Sequence, residues 1–170
     1  MQRVAEFKKV SKQQFSADFT VSFPHATEKT ISEAYASVVL PERATKGSAG
    51  YDISIVCPIT LASGQSIRIP TGLRVNIQDG WVLFLMPKSG LGTKYRLQLD
   101  NTIGVIDADY YQAKNEGHIL IQITNDSKED KVLHLDCGKS FVQGIFLPFG
   151  ITQTDHASDE RIGGFGSTGV

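Results

Sequence analysis

From Ser66 onward apolar and polar residues alternate: Ile67 and Ile69, then Leu73, Val75 and Ile77, punctuated by Pro70, Gly72 and Asp79-Gly80. A period of two puts the apolar side chains on one face of an extended chain, so the pattern predicts two half-buried strands. Trp81 to Met86 is an unbroken apolar run between Gly80 and Pro87. It is short for a helix and is predicted to be a strand covered on both faces. Ile119, Ile121 and Ile123 alternate again, and Val132 to Leu135 and Phe141 to Leu147 complete the set. Many short strands, with no long stretch of helical period, predict an all-β sandwich or jelly roll rather than a βαβ fold. Asn115-Glu116-Gly117 and Asn125 to Lys131 read as turns or loops, the second charged and expected to be solvated. In the first forty residues the pattern is weaker. Ala5 to Phe15 is polar and lysine-bearing, and Thr27 to Ala36 is predicted to be a short helix capped by the Thr27 hydroxyl.

Composition narrows the class. A chain of 170 residues, 41% hydrophobic, can bury one core and is short for two. A net charge of -1 supplies no basic field, so no nucleic-acid partner is expected, and a small anionic ligand would need local positive groups. Cys57 and Cys137 are far apart and in no C-x-x-C spacing, which predicts free thiols rather than a zinc site or disulfide framework. The opening MQRVAEFKKV has no apolar leader core, and no stretch approaches the ~18 apolar residues of a membrane span. A cytoplasmic protein with no membrane association is expected. Asn125-Asp126-Ser127 matches a glycosylation acceptor, read here as chance.

Four segments concentrate glycine and polar groups beyond what strands require: TKGSAGYD (45–52), PKSGLGTK (87–94), NTIGVIDADYY (101–111) and RIGGFGSTG (161–169). Gly164, Gly166 and Gly169 satisfy G-x-G-x-x-G, yet the sequence given ends at Val170, with no helix to follow, so the dinucleotide reading fails. Arg161, Phe165, Ser167 and Thr168 could instead hold an oligophosphate and stack on a base. Asp107 and Asp109, two apart, would share one face of a strand, an arrangement suited to activating water or holding a metal. Lys88 and Ser89 lie in an expected turn, where Gly90 leaves backbone N–H groups accessible to an anion. His25, His118, His134 and His156 show no H-E-x-x-H spacing, and no G-x-S-x-G elbow exists. No role is assigned to them.

In this order the segments resemble the five motifs of the trimeric dUTP diphosphatase (dUTPase) family. TKGSAGYD is similar to the first, PKSGLGTKY to the second, NTIGVIDADYY to the third, GKSFVQGIFLPF to the fourth and RIGGFGSTG to the fifth. The resemblance implies an all-β, distorted jelly-roll β-barrel with a flexible glycine-rich C-terminal arm. Within a single domain, 1–39 would be an N-terminal extension, 40–158 the core and 159–170 the arm. It implies hydrolysis of dUTP to dUMP and pyrophosphate, which keeps uracil out of DNA and supplies dUMP for thymidylate synthesis.

The resemblance also implies roles. Asp107 would orient and deprotonate the attacking water. Asn101 and the backbone around Gly104 would read uracil, and Tyr110 would pack under the deoxyribose and leave no room for a 2′-hydroxyl. Ser89, Gly90 and Gln143, with Lys88 adding charge, would contact the α- and β-phosphates. Phe165 would stack on uracil, while Arg161, Gly166, Ser167 and Thr168 would bind the γ-phosphate. Mg²⁺ would ride on the triphosphate, its water shell held by Asp52. A homotrimer with active sites shared between subunits follows in the same way.

Two departures stand out. The second motif usually reads PRSG, and Lys88 keeps the charge without the bidentate fork. In the third, Tyr111 to Asn115 intervene before Glu116-Gly117 and are expected to enlarge the loop beside the sugar site. The long N-terminal segment is expected to pack against a neighbouring subunit. Two rival readings are a dCTP deaminase and a nucleotide-responsive protein with a regulatory partner docking at loop 111–117 and the extension.

Overall fold

The computed structural model describes residues 1–158. The arm, 159–170, with Arg161, Phe165, Gly166, Ser167 and Thr168, lies outside the described residues. The predicted strands form where alternation placed them: β5 (Ser66–Pro70), β6 (Leu73–Ile77), β7 (Trp81–Pro87), β10 (Leu120–Asn125), β11 (Leu133–Leu135) and β12 (Ser140–Pro148). Shorter strands accompany them: β1 (Ala5–Lys9), β2 (Glu42–Arg43), β3 (Tyr51–Ser54), β4 (Ile59–Leu61), β8 (Leu97–Leu99) and β9 (Gly104–Ile106). The largest sheet has the order β2-β3-β12-β7-β9, a second β5-β10-β8, and two pairs, β1-β6 and β11-β4, complete the set. All these pairings are antiparallel, as the all-β jelly-roll class requires. Side chains from the sheets meet in one core that includes Ile53, Leu83, Leu85, Ile119, Ile123 and Phe141. On β7, Val82 is buried as well as Leu83 and Leu85, so both faces of that strand are covered as expected.

The N-terminal segment is more ordered than its polarity suggested. β1 pairs with β6 from Ala5↔Ile77 to Lys9↔Leu73. Helix α1 (Lys12–Ser22) begins at Ser11, whose hydroxyl accepts from the Gln14 N–H. Helix α2 (Glu28–Ala36) begins at Thr27 as predicted, its hydroxyl accepting from the Thr30 N–H at 3.2 Å. The segment packs on the chain's own core, where Val10, Phe15, Phe19 and Val38 are all buried. Phe15 lies 5.3 Å from both the Phe19 and the Tyr35 rings, and Phe23 stacks on Phe19 at 4.6 Å.

This packing converges on Gly72, at φ +73°. A Cβ there would lie 2.5 Å from Val38 Cγ2 and 3.3 Å from Phe15 Cδ2, so only glycine fits. The Val10 N–H donates to the Gly72 carbonyl at 3.0 Å. Both ends of the helical pair therefore meet the sheet at one residue.

Loop 111–117, expected to project beside the site, is tied down. Tyr111 stacks on Arg74, whose guanidinium carbon is 3.7 Å from the ring centroid, and Arg74 Nη2 donates to the Tyr111 carbonyl at 2.7 Å. Ala113 is buried. Glu116 accepts from the Ser11 N–H at 2.7 Å and from the Ser11 hydroxyl at 2.6 Å. Asn125 to Lys131 is likewise only partly solvated: the Asn125 amide is fully buried and donates to the Leu61 and Lys131 carbonyls, which fits no glycan acceptor.

Two acids thus join α1 to the strand region after this loop. Hydrogen bonds from the Ser11 hydroxyl and N–H hold Glu116 below its ordinary range. Burial acts to raise Asp18, but hydrogen bonds from His118 and Gln14 outweigh it and leave it lowered too. Carboxyls depressed on folding stabilise fully above their unfolded values, about 4, and that stability is lost as pH falls through the folded values. Thermal melts from pH 6 to 2.5 should show Tm falling steeply below about pH 4. Glu116→Gln should start from a lower Tm and fall less steeply. Parallel curves for the two proteins would contradict the assignment.

Candidate active site

The segments 45–52, 87–94 and 138–149 meet at one end of the large sheet. Asp52 on β3 is in register with Gln143 on β12, and Gln143 with Met86 on β7. Lys88, just past β7, reaches back across the sheet and places Nζ 2.7 Å from Asp52 Oδ1. Both side chains are about a third exposed or less, so water only partly screens the pair. Gly50 makes room for Gln143, since a Cβ there would lie 2.6 Å from Oε1. Gly50 went unselected in the sequence reading, its signal being a second glycine in TKGSAGYD.

PKSG is not the expected open turn. Lys88 caps a short helix, α3 (Ser89–Tyr95), and the Leu91 and Gly92 N–H groups donate to the Lys88 carbonyl. Ser89 and Gly90 are exposed in its first turn, where backbone N–H groups precede the intrahelical ladder. Lys88, Ser89, Gly90, Gln143 and Asp52 are thus brought together as an ion pair flanked by hydrogen-bonding groups.

Asn101 lies in the turn that joins β8 to β9, and Gly104 opens β9. With Leu85, Asp100, Ile121 and Gln122 they line a cavity of about 280 Å³, at the small end of ligand sites. Gly104 holds β9 against β7, because a Cβ there would lie 3.0 Å from Leu85 Cβ. Asp100, missed in the sequence, is fixed at the cavity by Gln122 Nε2 at 2.7 Å and the Thr124 hydroxyl at 2.5 Å. Its only signal was its place beside Asn101 at a turn.

Asp107 lies outside any strand, so the shared-face argument for Asp107 and Asp109 does not apply. It precedes a 3-10 turn (Ala108–Gln112) and accepts the Tyr110 N–H on its carbonyl at 3.2 Å. Both acids have partners. Tyr110 is buried, and its hydroxyl donates to the His118 carbonyl at 2.8 Å.

Register separates Asp107 from the cluster around Lys88. Ile106 faces Leu83 and Gly104 faces Leu85, so β9 runs away from Lys88. Asp107 and Lys88 lie at opposite ends of β7, roughly six residues or ~20 Å apart along the strand.

Antiparallel sheets packed around one core define a jelly-roll protein. The dUTPase family model matches residues 36–169, and the chain belongs to that family. It is 42% identical over 138 residues to the deoxyuridine 5'-triphosphate nucleotidohydrolase of Lactococcus lactis, covering 79% of this chain and 91% of that one. The crystal structure of dUTPase from Streptococcus mutans superposes with a TM-score of 0.63 at 31% identity, covering 86% of this chain and 97% of that one. A dUTPase from phage phi11 of S. aureus, in a structure describing its coordination of a structural Mg(II) ion, shares the fold with a TM-score of 0.64 at 19% identity. That match covers 92% of this chain and 98% of the phage one.

Gly104→Ala should force Leu85 aside and strain the β7–β9 pairing, lowering stability by about 1–3 kcal/mol. Urea unfolding would measure it. An unchanged midpoint would mean that β9 is not held by this contact.

Proposed function

We propose that the chain hydrolyses dUTP to dUMP and pyrophosphate at sites assembled between the subunits of a homotrimer. The carrying observation is the separation of Asp107 from Lys88 along β7, which a neighbouring copy can bridge. Exposed apolar residues on β9 and around the end of β12 (Val105, Leu147, Phe149 and Ile151) support burial against such a copy.

The cavity beside Asn101 takes uracil, read by that residue and the backbone around Gly104. A close fit rejects thymine by its methyl group and cytosine by its donor pattern. The Tyr110 ring packs beneath the deoxyribose. Asp107 orients the attacking water and accepts its proton as the oxygen bonds to the α-phosphorus and the bond to pyrophosphate breaks. Ser89, Gly90 and Gln143 hold the α- and β-phosphates of the nucleotide. Lys88 can turn from Asp52 to a phosphate, which frees the Asp52 carboxylate.

Asp52 suits a magnesium ion carried by the triphosphate, because a hydrated ion needs an acceptor for its waters rather than a protein cage. When bound, the ion neutralises the leaving pyrophosphate. Arg161, Phe165, Gly166, Ser167 and Thr168 are assigned the γ-phosphate and the exposed uracil face on the family resemblance. Cys57 and Cys137 are free thiols, which suits the reducing cytoplasm in which we place the reaction.

Pyrophosphate release from dUTP, dTTP, dCTP and UTP should be confined largely to dUTP. Asp107→Asn should lower it about a hundredfold or more with nucleotide binding retained; full activity would remove Asp107 from the reaction. Mixing tests the shared site. Asp107→Asn and Lys88→Ala/Ser89→Ala chains, each weak alone, should regain about a quarter of wild-type sites when assembled together at equal amounts. No recovery in mixed trimers would place both half-sites in one subunit.

A further inference from the structure

We propose that Asp18 and His118 are positioning residues for the turn Asp107–Tyr110, through which helix α1 sharpens rejection of ribonucleotides. The proposal rests on the reading of Tyr110 as the residue beneath the sugar.

His118 is fully buried. Its Nε2 accepts from the Gly72 N–H at 2.9 Å, so that nitrogen carries no proton, and Nδ1–H is given to Asp18 Oδ2 at 2.5 Å. Gln14 Nε2 donates to the same carboxylate oxygen at 2.8 Å. The imidazole is thereby fixed at both nitrogens, one bond coming from α1 and one from the residue before β6.

The backbone of His118 holds the tyrosine. Its carbonyl accepts the Tyr110 hydroxyl at 2.8 Å, and Asn115 Nδ2 donates to the same hydroxyl at 2.8 Å. Gly117, at φ +66°, lies so close that a Cβ would be 2.6 Å from the Tyr110 carbonyl. Tyr110 in turn closes its turn on the Asp107 carbonyl. A chain of direct contacts therefore runs from Asp18 through His118 to Tyr110.

Asp18 lies outside the family match at 36–169. An aliphatic side chain could fill its place in the packing of α1, whereas a carboxylate fixes the ring and hence the carbonyl that holds Tyr110. Rejection of a 2′-hydroxyl depends on sub-ångström placement of that ring, so a small loosening should appear in specificity before it appears in folding.

The experiment measures kcat/KM for dUTP and UTP, with Tm, in the full chain. Asp18→Ala should lower the dUTP:UTP preference by about tenfold, and Asp18→Asn, which keeps an acceptor for Nδ1–H, by less. Tyr110→Phe should reproduce the loss, and combining it with Asp18→Ala should add little. An unchanged preference in folded Asp18→Ala, or additive losses in the double variant, would overturn the proposal. If Asp18→Ala does not fold, Glu116→Gln loosens the same segment from its exposed side, and an unchanged preference there overturns it equally. Tyr110→Ala separates the two levels. Unchanged preference in that variant refutes the sugar-reading role itself; a large loss there beside wild-type preference in Asp18→Ala refutes only the link to α1.

Discussion

The pairing of β12 between β3 and β7 is the constraint on which the rest of the structure depends. It matches seven consecutive residues of β7, from Val142↔Pro87 to Pro148↔Trp81, and leaves Gly144 where a Cβ would come 2.8 Å from Leu83. A one-residue slip would turn Phe141 and Val142 out of the core and misplace every group that strand carries. With the register fixed, Asp52, Gln143 and Lys88 gather at one strand end. The pairing of β9 on the other side of β7 then sends Asp107 to the far end. The distance between Asp107 and Lys88 is thus a property of strand direction rather than of any single contact.

Most of the sheet was legible in the sequence because a half-buried strand leaves a period-two trace, and β5, β6 and β10 carry it clearly. β1 left little. Its residues AEFKK pair with β6 but are mostly exposed or half-buried, so the pattern looked polar. α1 was hidden for another reason: Phe15, Phe19 and Phe23 recur every four residues on one face, but the stripe is narrow and the residues between are mostly polar or small. The Thr27 cap was visible because capping is local, requiring one hydroxyl within reach of one N–H.

Of the residues singled out by glycine-rich composition, Asp52, Lys88, Ser89 and Gly90 gather at one sheet end, Asn101, Gly104 and Asp107 lie elsewhere, and two local expectations are corrected. Lys88-Ser89-Gly90 enters a helix rather than an open turn, since Leu91 to Tyr95 can propagate the ladder. Asp107 precedes a 3-10 turn rather than sharing a strand face with Asp109. The ion pair between Lys88 and Asp52 was not legible at all, because it joins residues 36 positions apart through a register that only the folded sheet defines.

Gly72 gives the helical pair α1–α2 its place. A segment that leaves and rejoins a sheet at one residue closes its own loop, so it can lengthen, shorten or be exchanged without shifting a strand. The family match begins at residue 36, where α2 ends. β1 and almost all of both helices lie before that match, and Gly72 is where they join the strands it covers.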